Sequence, residues 1–245
     1  MSNHSEIFGQ PGGRARRSGL FRAGIPLCAA LLLTGYALGL FLPAPEAPIV
    51  KGTIVIVLLL LILIATILTG SRMDAFFKGA TGEETIAYVL SRLPAGYAVF
   101  HGVDLSKGKL SNFWHTNDFD HVVLTPAGIV LVETKNWRGP IRFEGNQIFN
   151  GDIEPSRPPV EQAKREAGAL KEWLTERLPD STAPDVVPLL CFAGNALGND
   201  APPRFENVLV CSPETLVASI SLQGKRPPLS NDLRETITTL LAGQV

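Results

Sequence analysis

Asp120, Glu133 and Lys135 are the residues of this chain whose types and spacing are suited to joint chemistry. They flank a candidate hairpin. Residues 118–125 read Asp-Phe-Asp-His-Val-Val-Leu-Thr, Pro126-Ala127-Gly128 supplies turn chemistry, and residues 129–135 read Ile-Val-Leu-Val-Glu-Thr-Lys. β-Branched and apolar runs on either side of turn residues predict two paired strands. If Thr125 pairs with Gly128 across a two-residue loop, opposed residue numbers sum to 253 and Asp120 faces Glu133 directly. A three-residue loop bulged at Gly128 would shift the register by one and leave the two acids diagonal. Two carboxylates about 5 Å apart repel each other, and bare charge in a low-dielectric interior is costly. A divalent cation is the natural neutraliser, and carboxylate oxygens suit Mg²⁺ or Mn²⁺ rather than a soft metal.

Both faces of the hairpin are mostly apolar, as expected of strands in the middle of a sheet. Val122, Leu124, Ile129 and Leu131 share the face of the acids; Phe119, Val123, Val130, Val132, His121 and Thr134 take the other, where His121 reads as a core histidine. Further strands are predicted over residues 97–103, 186–193 and 208–211, with a second short hairpin over 139–143 and 147–150. Thr81 reads as an N-cap, Glu84 as the third helical residue of a capping box, and Ile86, Val89, Leu90 and Leu93 as the buried stripe of the helix that follows. Glu83 falls at the edge of that stripe, either as an extra metal or substrate contact or as a simple complement to the helix dipole. Pro158-Pro159 opens another helix, with Ala163, Ala167, Leu170 and Leu174 on one side and Gln162 in the first turn, where an anion or a water is favoured. Closing helices are expected over 213–220 and 232–241. Residues 104–117 form a polar loop whose Lys107, Lys109, Phe113 and Trp114 suit either an ordinary surface or a grip on nucleic acid.

The D-x12-E-x-K spacing across a hairpin resembles the PD-(D/E)xK nuclease superfamily. More closely, the chain resembles the nuclease-related domain, NERD, through Gly79-Ala80-Thr81-Gly82-Glu83, Phe119-Asp120-His121, Val132-Glu133-Thr134-Lys135-Asn136-Trp137-Arg138-Gly139, and the helix bearing Pro159 and Gln162. The likeness spans residues 75–180, with 181–245 completing the domain. It implies an α/β fold, restriction-endonuclease-like, with a mixed central sheet flanked by helices. It also implies a Mg²⁺- or Mn²⁺-dependent hydrolase of nucleic-acid phosphodiester bonds, acting on DNA rather than RNA. Asp120, Glu133, Lys135 and Gln162 would be its catalytic residues, and Asp120, Glu133 and Glu83 its metal ligands. Two other readings stand beside it: a non-catalytic nucleic-acid-binding or sensing module, and a structural network in which Lys135 neutralises the two acids.

Composition narrows the field. The chain has 245 residues and a net charge of −1. Beyond residue 53 there are 17 basic and 21 acidic residues, a net of −4, which argues against broad nonspecific duplex binding. Cys28, Cys191 and Cys211 have no metal-binding spacing, and no nucleophile motif or glycine-rich phosphate loop is present. Residues 1–22 read as a disordered basic tail carrying Arg14, Arg16, Arg17 and Arg22. Two uncharged apolar stretches, 25–42 and 52–70, approach the roughly 20 residues a helix needs to cross a bilayer. They predict a two-helix membrane hairpin over residues 23–71. Basic residues at its outer ends put both termini in the cytoplasm, with the protein multi-pass in the inner or plasma membrane. The competing reading of the first stretch is a cleaved signal peptide.

Overall fold

A computed structural model describes residues 4–13, 16, 21, 24–41, 48–105, 118–137, 139–178, 183–194, 197, 201–222 and 227–245. The loop with Lys107, Lys109, Phe113 and Trp114, and Arg138 of the E-T-K-N-W-R-G stretch, lie outside them. The chain divides into two compact units, Arg14–Ala80 and a larger one made of Met1–Gly13 with Thr81–Val245.

In the smaller unit, α1 (Ile25–Phe41) and most of α2 (Pro48–Leu90) are built from Leu, Ile, Val and Ala. These residues are good helix formers or are tolerated within apolar helices, and the prolines of the two helices, Pro26 and Pro48, lie in the first turn, where a missing N–H costs no helical bond. Apolar side chains are exposed at successive positions, Leu31, Leu32 and Leu33 on α1 and Leu59, Leu60 and Leu61 on α2, so neither helix has a single buried stripe. The Thr34 and Thr66 hydroxyls donate to the carbonyls of Ala30 and Ile62, each at 2.8 Å. The two expected membrane spans are not shown: among the described residues, no helix is long and apolar enough to cross a membrane. In α2, side chains at both ends of the apolar run lie outside the described residues.

The expected helix start at Thr81 is also corrected. α2 runs unbroken through that position to Leu90, and the Thr85 hydroxyl donates to the Thr81 carbonyl, so Thr81 lies inside the helix and not at its start. Gly79 and Gly82 are tolerated within a helix where a proline would have ended it.

The larger unit is a mixed α/β domain. Its strands are β1 (Glu6–Gly9), β2 (Ala98–Asp104), β3 (Asp118–Thr125), β4 (Gly128–Lys135), β5 (Ile141–Glu144), β6 (Gln147–Asn150), β7 (Val186–Phe192), β8 (Arg204–Phe205) and β9 (Val208–Cys211). Seven form one sheet in the order β1-β2-β3-β4-β7-β9-β8, and β5 with β6 forms a separate hairpin. The sheet is antiparallel over β2–β3–β4 and parallel over β4–β7–β9. β1 is a finding against expectation: residues placed in a disordered tail pair in parallel with β2, Phe8 stacking on Phe100 with ring centroids 4.9 Å apart.

Helices cover both faces. The end of α2 and α4 (Pro213–Ser221) bury Ile86, Leu90, Leu216 and Ile220 against Val99, Val123, Val130, Val132 and Leu189. On the other face, α3 (Pro159–Thr175) and α5 (Asn231–Ala242) bring Leu170, Leu174, Ile237 and Leu241 onto Phe100, Val122, Leu124, Ile129 and Leu131. Buried on both sides, β3 and β4 can carry charge only at their open ends. The two-residue loop is the one adopted: Val122 opposes Leu131, Leu124 opposes Ile129, and Thr125 opposes Gly128. The Thr125 hydroxyl accepts from Ala127 N and donates to the Gly128 carbonyl, closing the turn.

His101 and His121 oppose each other on β2 and β3, with Nδ1 to Nδ1 at 2.8 Å, so one ring must donate and the other accept. Burial lowers His101 to about 4; burial, then the neighbouring His101, pulls His121 well down. Between pH values of about 6.5 and about 4 the unfolded chain therefore takes up protons that the folded chain refuses. The stabilisation from neutral His101 is complete above that window and is lost as pH falls through it. Buried acids of the same domain push the other way over part of the range, so the comparison must be between chains. From pH 7 to pH 5 the parental chain should lose about 2 kcal/mol more stability than His101→Gln. Denaturant unfolding followed by tryptophan fluorescence measures this; equal losses would contradict the pairing.

Candidate active site

The site lies where β3 stops pairing and β4 does not. The β3–β4 ladder runs to His121 opposite Val132, while β4 continues along β7 through Glu133, Thr134 and Lys135, opposite Leu190, Cys191 and Phe192. The Asp120 carboxylate then accepts the Thr134 N–H at 2.8 Å, a donor the ladder no longer takes. Glu133 is only 3% exposed, so its charge must be met from within the protein.

Lys135 Nζ donates to Glu133 Oε1 at 2.6 Å and to Gln162 Oε1 at 2.9 Å. Gln162 Nε2 donates to the same Glu133 oxygen at 2.7 Å and to Glu166 Oε1 at 2.9 Å. The first turn of α3 thus holds both β4 charges with one amide, and the two acids and the ammonium around it fix which end of that amide is oxygen. Glu83 is brought near from α2. A Cβ on Gly82 would stand 2.8 Å from Asn136 Cβ, and one on Gly194 would stand 2.3 Å from Asn136 Oδ1. Glycine at these two positions lets α2 and the end of β7 close on the segment just after Lys135. Glu83 Oε2 accepts the Gly12 N–H at 3.0 Å, so the N-terminal segment also reaches the site.

Negative charge is in excess. Burial, then Glu133 and Glu83, raises the Asp120 carboxyl well above its usual range. Burial raises Glu83 to about 7, with Glu133, Asp118 and Glu84 adding to the rise and the Gly12 N–H opposing it. Glu166 is pushed up to about 9 by burial, by the charge of Glu133 and by its hydrogen bond to Glu133. Burial pulls the Lys135 ammonium down, but Glu133, Asp120 and Glu166 together hold its pKa above the ordinary value. One cation serves at least four acids, and three of them hold their protons more tightly than free carboxyls do.

All the sequence-predicted residues, Asp120, Glu133, Lys135, Gln162 and Glu83, fall in this neighbourhood. Asp120 and Glu133 offer hard oxygen donors with uncompensated charge, the chemistry that Mg²⁺ or Mn²⁺ takes. They do not close with Glu83 onto one point: among the described residues, no group of three or more His, Cys, Asp or Glu residues is placed to hold a metal ion. Glu166 and the Gly12 N–H were not foreseen. Glu166 stands one helical turn beyond Gln162, a spacing that would have marked it; nothing local in the sequence links Gly12 to Glu83.

The profile of the nuclease-related domain, NERD, matches residues 78–193, which takes in β2 to β7 and every residue of the site named above except Gly12 and Gly194. An uncharacterized protein of Bacillus anthracis is 36% identical over 64 residues, which is 26% of this chain. The chain spans 28% of the length of that relative. No solved structure matches.

Glu166 gives a direct test of the charge excess. A carboxyl raised from 4.5 to about 9 is protonated when folded and ionised when unfolded across that interval, so it costs stability increasingly as pH rises. Glu166→Gln mimics the protonated acid and should raise stability at pH 7 by up to about 3 kcal/mol. The gain should shrink toward zero near pH 4.5. Denaturation midpoints across that range measure it, and a variant less stable than its parent at pH 7 would refute the assignment.

Proposed function

We propose that the chain is a membrane-anchored, metal-dependent nuclease that hydrolyses nucleic-acid phosphodiester bonds, with DNA ahead of RNA as the substrate. The observation that carries this reading is the junction of Asp120, Glu133 and Lys135 at the open end of β3 and β4, tied to Gln162. It agrees with the nuclease-related profile over the same residues.

In this reading Asp120 and Glu133 would hold Mg²⁺ or Mn²⁺, with Glu83 in support. Such an ion supplies Lewis acidity toward a phosphodiester oxygen and toward water. The raised pKa of Lys135 favours one role over the others. It stays an ammonium at neutral pH and so makes a poor general base; its part is to donate hydrogen bonds and offset charge that develops on the phosphoryl oxygens. Gln162 keeps that ammonium aimed and accepts no proton itself.

The membrane anchor rests on the side chains of α1 and α2. Leu32 is 75% exposed, Leu33 69% and Ile67 62%, and apolar surface of this extent is at home against lipid. Hydroxyls that return to their own helix carbonyls, as those of Thr34 and Thr66 do, need no water. Both ends of the chain would then be cytoplasmic in a multi-pass arrangement, as the flanking arginines favour. The second functional reading, a non-catalytic nucleic-acid-binding module, is favoured by the failure of the three carboxylates to converge.

The full-length chain in detergent, incubated with labelled single- and double-stranded DNA and RNA, should cut in Mg²⁺ or Mn²⁺ and not in EDTA. Asp120→Asn and Glu133→Gln should each lower the rate at least about 100-fold. Cleavage unchanged in both variants would remove the mechanism; binding without cleavage, indifferent to EDTA, would favour the module. In cells the chain should stay with the membrane pellet after alkaline carbonate washing, and its release into the wash would remove the anchor.

A further inference from the structure

A cleft of about 430 Å³ opens directly onto Lys135 and Gln162. Part of its wall comes from the end of β6 and from residues 151–158, the segment between β6 and α3. Arg157 stands on that wall with Ser156 and Asn150, while Trp137 and Ile153 give it apolar surface. Among the described residues, no acidic residue lines this cleft, in a chain whose part beyond residue 53 is net negative. Arg157 is exposed, and no ion pair of the described residues engages it, whereas Arg142 on the β5–β6 hairpin is matched by Glu144 and Asp152, each at 3.2 Å.

The wall is held firmly. Ile148 of β6 packs with Val160 and Ala163 of α3 and with Phe192 of β7, and the Gly139 N–H donates to Asn150 Oδ1 at 2.9 Å. Asn150 N donates to the Ile153 carbonyl at 3.1 Å, and Ile153 N returns to the Asn150 carbonyl at 3.2 Å, which pins the start of the segment leading to Arg157. Trp137 packs against Phe192, ring centroids 5.4 Å apart.

Two cations, Lys135 and Arg157, lining one opening together with an aromatic side chain suit a ligand with successive anionic groups and flat apolar parts. A nucleic-acid strand has both, a phosphate at every nucleotide and a base with a π-face. We propose that this cleft carries the strand on one side of the scissile phosphate, with Arg157 gripping a neighbouring phosphate and Trp137 offering a surface to a base. The inference rests on the nuclease reading and adds the course of the substrate. Arg157 is a substrate-positioning residue here and takes no part in the bond-breaking step.

The test uses the full-length chain in detergent and a fluorescently labelled single-stranded DNA 12-mer. Binding is followed by anisotropy in EDTA, so that no turnover is required, and cleavage is followed separately in Mg²⁺. Arg157→Gln should weaken binding about tenfold and reduce the slope of log affinity against log salt by about one, with kcat within about twofold of the parent. Arg157→Lys should recover most of the affinity, because a phosphate reads charge more than shape. Arg142→Gln, on the β5–β6 hairpin but already paired, should bind as the parent does. A parent that binds DNA while Arg157→Gln binds equally well overturns the inference and leaves the nuclease reading standing. A parent that binds but does not cut, with affinity still dependent on Arg157, supports the cleft and counts against the nuclease. A parent that binds no nucleic acid overturns both.

Discussion

The site depends on one mismatch of strand lengths. β4 is paired with β7 from Ile129 to Lys135 but loses β3 three residues earlier, after Val132. Glu133 and Lys135 are therefore fixed in backbone by a parallel neighbour while the side facing β3 is open, and Asp120 turns its carboxylate onto the unpaired Thr134 N–H. Backbone rigidity on one side and side-chain freedom on the other allow charged residues to gather at the end of an otherwise apolar strand. Had β3 continued, ladder bonds would have used the same donors.

Charge is the second constraint and follows from the first. Glu133 is almost wholly enclosed, and its partners are one ammonium and one amide. Around it Asp120, Glu83 and Glu166 each hold protons more tightly than usual, and burial is the leading cause for all three. A network evolved only to hold the fold would gain from fewer acids, since each buried carboxyl must be paired or protonated at a cost. Leucine or glutamine at some of these positions would hold the same packing with less penalty. In the proposed reading the surplus is capacity for a positive ligand, which would take the place that protons occupy in its absence.

Much of this was legible in the sequence, for identifiable reasons. The hairpin register was readable because Thr125 and Gly128 leave only two residues for the loop and because a one-residue slip would turn Val122 and Leu131 out of the core. Gln162 was readable as a first-turn residue beside a proline start, although its bonds to Lys135, Glu133 and Glu166 were not. β1 was hidden because four residues with an edge position and one parallel neighbour carry no periodic signal of their own. The start of the helix bearing Glu83 was misread for the opposite reason: Thr81-Gly82-Glu83-Glu84 is good capping chemistry, but capping decides a boundary only where the preceding residues resist the helix. Here they do not, and α2 absorbs the motif.

That continuity gives Glu83 its place. A helix beginning at Thr81 could fray at its first turn, whereas Glu83 in the interior of α2 has a helical turn before it and the buried Ile86 and Leu90 behind it. The missing side chain of Gly82 then lets that turn meet Asn136 directly after the strand that carries Glu133 and Lys135. Contact at Gly82 sets how near the Glu83 backbone comes to the strand end that carries the other acids. With its oxygen held by the Gly12 N–H, Glu83 stands close enough to be felt by Asp120 as charge and is not drawn into a shared cluster with Asp120 and Glu133. The reach of the acid is thus governed by a backbone donor from the N-terminal segment, and a positive ligand between Asp120 and Glu133 would have to compete with that single hydrogen bond to recruit it.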